Sequence, residues 1–196
     1  FLPGKGGKDD ATIMVAAQTG EIKTVLLLGA DEIDTSKFGK ASVIYVGSHG
    51  DNGAHRADVI LPAAAYTEKS GTYVNTEGRV QRTQRAVAPK GDAREDWAIL
   101  RALSAYVGKT LPYDTLAQLR AKLGQDHPTF LGLDFAPGTT GDSKGPPYGA
   151  TGSLNSTAFA TPIKAFHLTN PIARASRTMA ECAELAAGAN PAVAAE

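Results

Sequence analysis

The chain has 196 residues, 42% of them hydrophobic, with 20 Lys plus Arg balanced by 20 Asp plus Glu. That length buries one sizeable core with appendages, and a formal net charge of zero leaves no overall field to steer nucleic acid or anionic lipid. The single cysteine, Cys182, rules out an internal disulfide and any four-cysteine iron–sulfur or zinc site within the chain, which suits a reducing compartment. No run approaches the roughly 20 apolar residues that span a bilayer, so no direct membrane insertion is expected.

In chain order, Phe1 to Lys8 is a Gly-rich basic loop whose GKGGK lacks phosphate-loop spacing. With no initiator Met and no signal-like start, the chain is expected to be the C-terminal piece of something longer. From Asp10 the spacing of Ile13, Met14 and Ala17 predicts a helix, with Gly20 as its stop. Val25 to Leu28 is a short apolar run ended by Gly29, expected as a strand buried on both faces of a parallel sheet. Asp31, Glu32 and Asp34 follow it, where an open parallel sheet can read a nucleotide's hydroxyls; a solvated acidic loop is the plainer reading.

Ser42 to Val46 predicts a second buried strand ending at Gly47. In the Gly-rich loop after it, His49 and His55 flank Asp51, but without a fourth donor they make a weak metal signal and no metal site is expected. Val59 to Leu61 is a third strand, stopped by Pro62. Short strands around Thr72 to Val74 and Val80, joined by a turn at Asn75 and Gly78, follow. The polar side chains between them, Glu68, Thr72, Asn75 and Arg79 among them, could line a pocket or satisfy one another on a sheet edge. Arg79, Arg82, Arg85, Lys90 and Arg94 form a basic cluster without interleaved aromatics, read as a solvated face or a protein contact rather than an RNA site.

Asp92 and Glu95 are spaced as a capping box for a helix through Trp97 to about Val107, with Ile99, Leu100, Leu103, Tyr106 and Val107 as its apolar stripe and Gly108 as its stop. Trp97 is expected as a core anchor. Thr115 and Gln118 cap a second helix that Gly124 should end. From Gln125 to His167 no periodicity appears, and a loop of that length is expected to lie on a neighbour. Asn170 and Pro171 restart a helix with Ile172, Ala175, Met179, Cys182, Ala183 and Ala186 on one narrow stripe, Cys182 as a buried inert thiol, and Arg174, Arg177, Glu181 and Glu184 pointing elsewhere.

The run AD-VILP, E-x-x-GTYVN-x-EGRVQ and P-x-G-x-A-x-x-DW, from Ala57 to Trp97, resembles the late part of the molybdopterin oxidoreductase domain. Within that superfamily it is most similar to the large iron–sulfur subunits, of the 75 kDa type, of proton-pumping NADH-quinone oxidoreductase, respiratory complex I. LLLGADEID at Leu26 to Asp34 and TNPIARASRTMAEC at Thr169 to Cys182 support that branch. The fold class implied is α/β, a partial doubly wound sheet of the molybdopterin oxidoreductase type at residues 1–124, an irregular segment at 125–168 and a docking helix and tail at 169–196.

By this resemblance the chain is a non-catalytic structural portion of the large iron–sulfur polypeptide, supporting electron transfer from NADH to quinone. It implies no catalytic, cofactor-binding or metal residues here. The 2Fe-2S and 4Fe-4S clusters of the intact polypeptide would lie in a preceding N-terminal part. Partners would be other peripheral-arm subunits of complex I, without nucleic acid, on the cytoplasmic side of a bacterial inner membrane or the matrix side of a mitochondrial one. The alternative is a module of an active molybdopterin enzyme such as a formate dehydrogenase, with Glu68, Thr72, Asn75 and Arg79 near a guanine dinucleotide cofactor; a free-standing regulatory domain is a third option.

Overall fold

The computed structural model describes residues 7–135 and 165–189, with positions 152–153, 156–158 and 163 between them. The expectations for the first loop residues, most of 136–164 and the last seven positions lie outside the described residues. Helix α1 (Asp10–Gln18) is capped by Asp9, whose carboxylate accepts the Thr12 amide at 2.8 Å, and ends at Gly20 with φ +82°. Strands β1 (Thr24–Leu28), β2 (Ser42–Gly47) and β3 (Val59–Pro62) form one parallel sheet in the order 1-2-3. Its register sets Leu28 beside Val46 and Gly47 beside Pro62, so the three carboxyl ends lie side by side.

The core lies on one face. Val25, Leu27, Val43 and Tyr45 pack with Ala17, Phe38 and Ala41. On the other side of β1, Leu26 and Leu28 remain 40% and 46% exposed, so β1 alternates instead of being buried on both faces. It is an edge strand with its apolar cover on the α1 side. Between β2 and β3 the segment read as a loop contains a short helix, α2 (Asn52–Arg56). Gly53 lets it approach, since a Cβ there would stand 2.6 Å from the Tyr45 ring.

Beyond Pro62 the chain forms the antiparallel hairpin β4 (Thr72–Val74) and β5 (Val80–Arg82), with Gly78 at φ +83° in its turn. Residues around Arg94 then return to the sheet: the Arg94 amide donates to the Pro62 carbonyl at 3.1 Å, and the Ala64 amide donates to the Arg94 carbonyl at 2.8 Å. This overturns the expected Asp92–Glu95 capping box, because the backbone is committed to the sheet edge until Arg94. Helix α3 (Asp96–Tyr106) starts from Glu95, which makes no side-chain capping bond. It stops at Gly108 as expected, φ +75°, but Tyr106 and Val107 face outward, 91% and 65% exposed, and Trp97 is half-buried rather than a core anchor.

Helix α4 (Leu116–Asp126) carries the expected Thr115–Gln118 capping box. It runs through Gly124, which is buried and lets Leu131 close over it: a Cβ there would stand 2.4 Å from Leu131 Cδ2. The chain then reaches β5, where the Asp134 amide donates to the Val80 carbonyl at 2.7 Å. The C-terminal segment is two helices, α5 (Pro171–Arg174) and α6 (Arg177–Ala189). Asn170 caps α5 as expected, accepting the Ala173 amide at 2.9 Å. Of the predicted stripe, Met179, Cys182 and Ala183 are half-buried while Ile172, Ala175 and Ala186 are exposed, so Cys182 is not fully buried. Among the described residues no helix is long and apolar enough to cross a membrane.

Candidate functional site

In an open parallel sheet, ligands collect outside the carboxyl ends of the strands. At that edge lies a cavity of about 930 Å³, floored by Leu28, Gly29, Val46 and Gly47 and roofed by Asn170 to Ala173, Ser176 and Met179. The roof belongs to the chain itself. Tyr45 closes the bottom, its hydroxyl donating to the His49 carbonyl at 3.0 Å. Burial, then the charges of Asp31 and Asp51, push that phenol up, and Arg174 partly opposes them.

The residue that joins roof to floor is Arg174. Its Nη2 donates to Asp31 Oδ1 at 2.8 Å and its Nη1 to Glu32 Oε1 at 2.7 Å, while Nε meets Asp51 Oδ2. Three faces of one guanidinium thus serve three carboxylates from two loops, one after β1 and one after β2. Asp31 is 1% exposed in its side chain and Arg174 18%, so the pair is largely removed from water. Burial raises Asp51, but the Arg174 hydrogen bond, the Asn52 amide and the nearby positive charges outweigh it and hold the carboxyl below its usual range. Burial likewise lowers Arg174, and its bonds to Asp51 and Glu32 turn the net shift upward.

The acidic loop singled out by sequence is therefore present at the expected edge, with Asp31 and Glu32 engaged by the chain's own arginine. Asp34 does something else: it caps the short turn Thr35–Phe38, accepting the Ser36 amide at 3.2 Å, which lowers its carboxyl. Asp51 sits in the clamp and also accepts the Asn52 amide at 2.9 Å, while His49 Nδ1 contacts Ser48 Oγ at 2.9 Å. Among the described residues no group of three or more His, Cys, Asp or Glu could hold a metal ion.

The hairpin residues do not converge on this cavity. Glu68 Oε2 accepts the Ala65 amide at 3.0 Å. Asn75 Oδ1 accepts two amides of its own turn, Glu77 at 3.0 Å and Arg79 at 2.9 Å. Arg79 Nη1 donates to the Asp134 carbonyl at 2.6 Å and Nη2 to Glu77 at 3.3 Å. Thr72 lines a separate groove against α4. Lys69, which does reach the cavity, is paired with Asp96. Arg174 is the residue that sequence reasoning misses: helical spacing puts it off the apolar stripe, and nothing local links it to acids more than 120 positions earlier.

A guanine dinucleotide pterin does not fit this arrangement. The carboxylates that would read its hydroxyls are already bonded to Arg174. With one guanidinium among three carboxylates the cluster keeps excess negative charge, the wrong sign for a pyrophosphate.

Residues 5–106 match the family described as Molybdopterin oxidoreductase, and residues 140–182 match the C-terminal family of the G-type NADH-ubiquinone oxidoreductase polypeptide. The chain is 48% identical over 170 residues to the NADH-ubiquinone oxidoreductase 78 kDa subunit, mitochondrial, of Candida albicans, covering 82% of this chain and 23% of that protein. It is 46% identical over 165 residues to the protein of the same name from Neurospora crassa, covering 82% and 22%. It is 44% identical over 165 residues to NADH dehydrogenase [ubiquinone] iron-sulfur protein 1, mitochondrial, of Solanum tuberosum, covering 83% and 22%. The chain spans less than a quarter of the length of these curated relatives. The resemblance to the large iron–sulfur subunits is borne out, and it is favoured over a formate dehydrogenase.

Proposed function

The chain belongs to the molybdopterin oxidoreductase family, and from that premise we propose that it is a structural, non-catalytic portion of the large iron–sulfur subunit of NADH-quinone oxidoreductase. Its role is to hold the peripheral arm together while electrons pass from NADH to quinone through other parts of the enzyme. The observation that carries this reading is the Arg174 clamp: the edge where a family member would hold its cofactor is bonded to the chain's own C-terminal segment. A site with its polar groups already paired stabilises the fold and has none left for substrate.

The rest of the subunit would carry the 2Fe-2S and 4Fe-4S clusters, since a single cysteine cannot supply four thiolates. The partners are other peripheral-arm subunits. The location is the matrix side of the mitochondrial inner membrane or the cytoplasmic side of a bacterial one, which the mitochondrial names of the relatives support only at the level of the complex. Metal analysis of the purified assembly tests the reading. Molybdenum and tungsten are expected well below one atom per polypeptide; stoichiometric amounts of either would overturn it.

A further inference from the structure

A second groove, of about 710 Å³, opens away from the sheet edge between the hairpin, α3 and α4. Arg85, Arg94 and Arg120 line it, with Ser70, Glu95 and Trp97. Three guanidinium groups face one carboxylate, in a chain whose formal net charge is zero. That carboxylate is already engaged, Glu95 Oε2 accepting from Trp97 Nε1 at 2.6 Å. Arg94 Nη1 reaches only backbone carbonyls, Ala93 at 2.9 Å and Gly91 at 3.4 Å, which satisfy a donor without cancelling its charge.

Arg120 is the decisive residue. Its Nε and Nη2 are buried and find no hydrogen-bond partner among the described residues, and neither it nor Arg85 forms an ion pair there. An unpartnered buried donor costs about 1–3 kcal/mol, more when charged. Burial, then the charge of Arg82, lower its guanidinium, and Glu95 restores only part. A merely solvated basic face would turn its arginines outward to water. Here one is drawn under the groove with its fork unfilled, and Arg85 and Arg94 stand exposed at the rim.

We propose that this groove binds a phosphate group of a small phosphorylated molecule, held by Arg85, Arg94 and Arg120 beside the Trp97 ring. The two uncompensated positive charges match a phosphate dianion, whereas one carboxylate would leave a charge unpaired. The site stands apart from the Arg174 clamp and does not depend on it.

The test uses the protein in its native assembly, modified with phenylglyoxal and read residue by residue by peptide mass spectrometry. Saturating inorganic phosphate is expected to slow modification of Arg85 and Arg94 about tenfold, while acetate at matched ionic strength changes it less than about twofold. In Arg120→Met the phosphate protection should fall below about twofold. If that variant does not assemble, Arg94→Gln carries the same test, with protection of Arg85 lost. Equal protection by phosphate and acetate, or none, would make the groove a solvated basic face and overturn the assignment. Arginines already unreactive in the assembly and indifferent to phosphate would place a partner's acidic side chain there, and overturn it too.

Discussion

Arg174 concentrates the energetics of the candidate site in one side chain. Replacing it with Met keeps the aliphatic volume but strands the buried Asp31 carboxylate, a loss of about 3 kcal/mol. Pulse proteolysis in urea should show the midpoint of this chain shifted down by that amount. The depressed Asp51 carboxyl fixes the direction of the pH dependence. Its contribution is fully present above its unfolded value of about 3.9 and is lost as pH falls through the lower folded value. The wild-type midpoint should therefore drop below about pH 4, and Arg174→Met should flatten this component. A variant retaining the full acid-side drop would move its origin elsewhere. Asn75 is a turn residue by the same logic: one oxygen holds two amides, so Asn75→Ala should lower stability by about 1–2 kcal/mol and leave turnover per assembled complex unchanged. A kinetic effect with normal stability would contradict that role.

At the scale of elements, two glycines resolve into opposite cases. A Cβ on Gly53 would press on the Tyr45 ring at 2.6 Å and the Asp31 Cβ at 2.9 Å, both fixed in the core. Gly53→Ala should cost about 1–3 kcal/mol by overpacking. The obstacle at Gly124 is the end of Leu131, itself 66% exposed and free to swing away. Gly124→Ala should therefore be neutral or up to about 1 kcal/mol stabilising, since alanine is the better helix former. Paired denaturation curves decide both; the same sign at the two positions would refute this account. Local spacing predicts the strands, the hairpin turn and the Thr115 capping box because each depends on neighbours within a few residues. It fails where a distant backbone intervenes. The Asp92–Glu95 pattern gives way because Arg94 bonds to Pro62 and Ala64, and Gly124 mimics a helix stop because nothing in its local sequence shows Leu131 closing over it.

For the whole molecule, the sheet edge and its acidic loop are legible in the sequence, since apolar runs ending in glycine mark strand ends. Their use is not. The meeting of Arg174 with Asp31, Glu32 and Asp51 is tertiary, and hairpin residues that resemble a pocket by composition serve their own turn. The C-terminal segment thus acts as a strap across the carboxyl ends of the sheet, which makes family membership compatible with a structural role. The most direct measurement is the yield and NADH-quinone turnover of the native assembly carrying Arg174→Met. The predicted result is a reduced yield of intact peripheral arm, with turnover per assembled complex equal to wild type. Full yield with altered turnover would contradict it.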